Sequence, residues 1–128
     1  MRGWGLKRGA VASSLAWDAS GIVAVGADDV DLARAINRVI QLQGGTVLAL
    51  DGEIEIDIPF PIGGYVSDAG IEELASQLEN FQQAVKGLGS HLQAAHQTLV
   101  TQTSAAIPFI RITEKGYFRF RENDYVGL

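Results

Sequence analysis

The dipeptide Asp51-Gly52 lies between two apolar runs, "GTVLAL" and "EIEIDIPFP", and constrains the fold more than any other stretch of the chain. A type I′ turn needs positive φ at both central residues, a demand that Asp-Gly meets, so the runs are expected to pair as an antiparallel hairpin. In the second run Ile54, Ile56 and Ile58 alternate with Glu53, Glu55 and Asp57. That alternation predicts one buried and one wet sheet face. Pro59 and Pro61 should end the pairing, because neither has an N–H for a ladder.

Around this hairpin the chain divides cleanly. Residues 9–17 and 21–26 are rich in Val, Ile and Ala between glycines and read as two short buried strands joined through Asp18 to Ser20. In "DDVDLARAINRVIQLQGG", Leu32, Ile36, Val39 and Ile40 recur on one helical face. Asp28, Asp29 and Asp31 crowd its positive end, and Gly44 or Gly45 supplies the stop. A second helix is expected over 71–86, with Ile71, Leu74, Ala75, Leu78, Phe81 and Val85 on its apolar side and Gly87 and Gly89 after it. "SHLQAAHQTLVTQTSAA" fits a short helix, a polar strand or a loop equally well. "IPFIRITEKGYFRF" reads as two strands about a Glu114-Lys115-Gly116 turn. The order strand, strand, helix, hairpin, helix, hairpin predicts an α+β fold. Its largely antiparallel or mixed sheet of about six strands packs with two main helices, in one domain over 1–128.

Composition narrows the chemistry. There are no cysteines, which excludes disulfides, thiol catalysis and Cys-ligated zinc. Ten Lys and Arg against 15 Asp and Glu, net −5, would repel a phosphate backbone, so nucleic acid is not an expected partner. No apolar run approaches the roughly 20 residues of a membrane span, and the start lacks a signal-peptide core; the expectation is a soluble cytoplasmic protein. Yet 47% of residues are hydrophobic, which suggests that part of the surface is covered by something else.

Each polar cluster has a structural reading beside the chemical one. Asp28, Asp29 and Asp31 complement a helix dipole and lack the Gly and bidentate Glu of a calcium loop. Glu53, Glu55 and Asp57 match a solvated strand face. His91 and His96 are five apart, a spacing that sends them to different faces of a helix or strand, so no metal site is expected from them. "VAVGADD" has one glycine between strand and helix but neither the further glycines nor the Lys-Ser/Thr pair of a phosphate loop. Ser13, Ser14 and Ser20 have no histidine near them in sequence, and a hydroxyl nucleophile needs an adjacent base.

The blocks "KRGAVASSLAWDASGIVAVG", "DLARAINRVIQLQGGTVLALDGEI", "PFPIGGYVSD" and "IPFIRITEKGYF" resemble, in order and spacing, the C-terminal domain of bacterial adenine deaminases of the amidohydrolase superfamily. These hydrolases convert adenine to hypoxanthine and ammonia. The resemblance implies a preceding α/β barrel whose His, Asp and Glu ligands hold divalent transition metal ions that activate water. It implies no cofactor in this chain, and either a barrel in cis or trans or a homo-oligomer as partner. Where the family reads His-Asp-Ser-His-Asn, this chain has Trp17, Asp18, Ala19, Ser20 and Gly21, so only the aspartate is kept. The family's apolar run before its Ile-Pro is replaced by "LVTQTSAA". By resemblance, Asp18 is the candidate residue nearest the barrel's active-site mouth, and the isolated chain is expected to be inactive. The alternative is a stand-alone binding or oligomerisation module that has lost the deaminase function.

Overall fold

A computed structural model describes residues 3–16, 21–102, 110–113 and 115–126, the side chains of 110–113 excepted. In chain order the elements are β1 (Ala10–Ser13), β2 (Val23–Gly26), α1 (Asp29–Gln41), β3 (Gly45–Leu50), β4 (Glu53–Pro59), α2 (Ile71–Gly87), α3 (Ala95–Thr101), β5 (Ile110–Thr113), β6 (Gly116–Arg119) and β7 (Asp124–Val126). The fold is α+β. Every named strand pair is antiparallel, but the strands form two sheets: β2-β1-β3-β4 and β5-β6-β7. The additions to the expected order are α3, within the ambiguous segment, and β7.

The hairpin forms as its turn residues require. Asp51 and Gly52 have φ of 53° and 83°, and Leu50 pairs with Glu53 across them. Asp31 holds this turn from α1: it is buried, and its carboxylate accepts from the backbone N–H groups of Asp51 (3.3 Å) and Gly52 (2.7 Å). Asp28 is the N-cap of α1 and accepts from Val30 and Asp31 N–H, which satisfies donors that the first turn leaves open. At the other end the left-handed residue is Gln43 (φ 59°), with Gly44 following it, so the stop comes one residue earlier than the glycines alone suggest.

The expected wet face does not exist. β2 and β3 both run antiparallel to β1, which lies between them, so α1 crosses from one to the other over one face of the sheet. On that face Ala10, Ala12, Val47 and Ala49 meet Ala35 and Val39 of α1. On the other, Val11, Val25, Leu48 and Ile58 meet Phe81 and Val85 of α2 and Leu99 of α3. The near-continuous apolar runs of β1 and β3 are those of strands buried on both sides, whereas the edge strands β2 and β4 keep an alternating pattern.

Even in β4 the alternation misleads. The register shifts between Leu48 and Ala49, which oppose Ile56 and Ile54, so Glu55 is an extra residue. Ile54 therefore packs on the α1 side, while Ile56 and Ile58 join the α2–α3 side. Asp57 follows Ile54 to the α1 side and takes two hydrogen bonds from Arg38, at 2.9 Å and 2.6 Å. The helices also differ from the expected stripes. Ile40 is 58% exposed, Ala35, outside the expected stripe, is fully buried, and Ile71 is 86% exposed.

Candidate functional site

The end of β1 leads toward the loop in which the resemblance puts the family's motif. Trp17, Asp18, Ala19 and Ser20 lie outside the described residues, as do the chain's "TSAA" stretch and Glu114. The described residues that border the loop are Ser13, Ser14 and Leu15 before it and Gly21 and Ile22 after it. Successive residues of a strand point to opposite faces, so Ser13 and Ser14 do different work.

Ser13 faces α3. It stands opposite Thr46 in the β1–β3 register, both side chains are buried, and their hydroxyls are 2.8 Å apart. Thr46 Oγ1 is in turn 2.9 Å from His96 Nε2, and the Leu15 N–H donates to Ser13 Oγ at 3.1 Å. With His96 protonated on Nδ1, Thr46 donates to Nε2 of the imidazole and Ser13 donates to Thr46, so both hydroxyl hydrogens find an acceptor. The ring is held edge-on by Phe60 and Phe81, at centroid distances of 6.4 Å and 6.0 Å. Burial pushes the His96 pKa below its ordinary value, because the imidazolium would lose its hydration.

That direction fixes a pH response. The unfolded chain binds a proton on His96 near pH 6.5 and the folded chain binds it only at lower pH, so the unfolded state holds more protons in between. Stability is expected to be full above pH 6.5 and to fall as pH drops through the folded-state pKa. Urea unfolding from pH 8 to 4.5, compared with His96→Gln, isolates this part. A variant with the same pH profile as the parent would remove His96 from the response.

Ser14 faces the other way. Its hydroxyl donates to the Gly64 carbonyl at 2.7 Å and accepts from the Gly45 N–H at 2.8 Å, clamping residues 63–65 to the start of β3. Between this clamp and the end of α1 is a pocket of about 240 Å³, lined by Gly21, Ile22, Val39, Ile40, Gly64 and Tyr65 among others. Gly21, the last of the five motif positions, is thus placed at a pocket wall, and Asp18 lies outside the described residues.

The other candidates are not brought together. Asp28 and Asp31 serve α1 and the hairpin turn, Asp57 pairs with Arg38, and Glu53 and Glu55 are exposed. His91 is exposed in the α2–α3 connection, away from the relay that uses His96 Nε2. Among the described residues no three His, Asp or Glu groups gather where they could hold a metal ion, so these residues do not fit one. The Ser13–Thr46–His96 relay escaped sequence reading, since its members are separated by 33 and 50 residues. Only the strand register could have exposed it.

Comparison with known proteins gives this arrangement its family. The family model for the adenine deaminase C-terminal domain matches residues 1–124. Adenine deaminase of Archaeoglobus fulgidus is 43% identical over 116 residues, covering 91% of this chain and 21% of the relative. Those of Methanothrix thermoacetophila and Kosmotoga olearia are 38% and 36% identical, covering 98% and 100% of this chain and 22% of each relative. The chain thus spans about a fifth of the length of the curated relatives it matches, and by sequence it belongs to the adenine deaminase C-terminal domain family.

Proposed function

We propose that this chain serves as the accessory C-terminal domain of a metal-dependent adenine deaminase, packing against a catalytic amidohydrolase barrel and bordering the mouth of its active site. The observation that carries this reading is the family match along 1–124, combined with relatives named adenine deaminase of whose length this chain covers about a fifth. Water becomes a nucleophile near neutral pH when a metal lowers its pKa, and in this reading that metal belongs to the barrel. Asp18 is the residue of the motif loop assigned to the mouth. The setting is cytoplasmic; no helix among the described residues is long and apolar enough to cross a membrane.

The purified chain, assayed for metal content and for ammonia released from adenine, is expected to give neither above the buffer blank. A stoichiometric transition metal together with ammonia release would overturn the accessory reading. A second reading, a stand-alone oligomerisation module, draws on the exposed Tyr117 and Tyr125 of the β5–β7 sheet. Light scattering separates the two, since that module is a defined oligomer on its own.

A further inference from the structure

Several exposed apolar side chains lie on and beside the pocket at the end of β1. Residues 62–66 fold back on themselves through an Ile62–Val66 bridge, and Gly63, Gly64 and Tyr65 form the tip that walls the pocket opposite α1. Ile62 is 57%, Val66 54% and Tyr65 41% exposed, and the exposed Ile40 completes the rim from the helix side.

This tip is held in place. Ser14 clamps Gly64, the Ile62 and Val66 backbones bond each other, and Gly44 lies so close to Gly64 that a Cβ there would fall 2.3 Å from the Gly64 Cα. An apolar patch whose backbone is already ordered has little entropy left to lose when a partner arrives, which is the property of an anchor site.

We propose that Ile40, Ile62, Tyr65 and Val66 form the face on which the catalytic barrel docks, with an apolar side chain of the barrel seated in the pocket. The inference rests on the accessory-domain reading and says where that domain is held. Two observations select the barrel as occupant. Close to four-fifths of each relative lies outside the matched segment, so a large body adjoins this domain in those proteins. Gly21, the last of the five motif positions in the chain, lines the same pocket, so a body seated there touches the motif segment at its described end.

The test is hydroxyl-radical labelling of side chains in a chimera, in which this chain replaces the matching segment of the Archaeoglobus fulgidus enzyme. Labelling of Ile40, Ile62, Tyr65 and Val66 is expected to fall at least about five-fold relative to the isolated chain, as for side chains in the water-excluded core of an interface. Ile62→Asp should restore it. Protection of the β5–β7 sheet or of Ile71 with the tip still labelled overturns the docking face while leaving the accessory reading intact. Two independent unfolding transitions with no protection anywhere overturn the accessory reading itself. Dimerisation of the isolated chain that Ile62→Asp abolishes gives the face to a second copy and also overturns the proposal. Should the chimera not fold, the intact Archaeoglobus fulgidus enzyme is labelled at the matching positions: protected positions support the face, labelled ones reject it.

Discussion

Phe81→Ala is expected to lower the free energy of unfolding by about 3–5 kcal/mol, the range for truncating a fully buried aromatic ring. Phe81 is fully buried and joins the middle of α2 to Val11, Leu48, Ile58 and Leu99 in the larger of the two cores. Its neighbours come from strands on one side and a short helix on the other, so the cavity cannot close by moving one side chain. Against a typical total of about 5–15 kcal/mol, the loss leaves the domain marginal at 37 °C. The ring also stands edge-on to His96. Removing it admits water beside the imidazole and should flatten the pH response described above. Urea titrations at pH 7.5 and pH 5 check both statements; a midpoint unchanged at either pH would mean that the α2 layer does not carry the core.

Gly44→Ala is the second large effect, at about 2–4 kcal/mol, the sum of a backbone strain and an overpacking cost. Gly44 has φ of 132°, which side-chain-bearing residues rarely adopt, and its added Cβ would meet the backbone of Gly64 at 2.3 Å and the Phe60 carbonyl at 3.0 Å. Both contacts are main chain, so relief requires the 62–66 tip to lift. Gly52→Ala supplies the control: its φ is also positive, but nothing lies within 4 Å of its added Cβ. The difference in unfolding free energy between the two variants reports the close approach together with the stricter φ of Gly44, since 83° lies nearer the left-handed region than 132° does. Equal losses would show that the tip is not seated against α1's end.

What could be read from the sequence was local chemistry. The Asp51-Gly52 turn and the two long helices each depend on residues within a few positions of one another, and they form where expected. The family, too, was legible in four blocks of residues. What escaped was whatever depends on how distant strands align. Periodicity alone placed Ile54 with Ile56 and Ile58, because a bulge is set by the partner strand and leaves no mark on the alternation itself. The serines before the motif loop looked isolated because their nearest histidine is far along the chain, yet the Ser13–Thr46 register and the short helix α3 deliver it. Asp31 looked like a helix-end charge, and it is the anchor of a turn 20 residues away.

The extra residue at Glu55 makes the effect of shortening β4 depend on where the residue is lost. Deleting Glu55 would leave Ile54 and Ile56 as adjacent, oppositely facing residues still opposite Ala49 and Leu48, so the bulge would close with each isoleucine in its own layer, whereas deleting Asp57 would make Ile56 and Ile58 neighbours that cannot share a face. In descendants of this domain, a single-residue gap should therefore be tolerated at position 55 but purged at position 57, where loss of one codon acts like several substitutions at once.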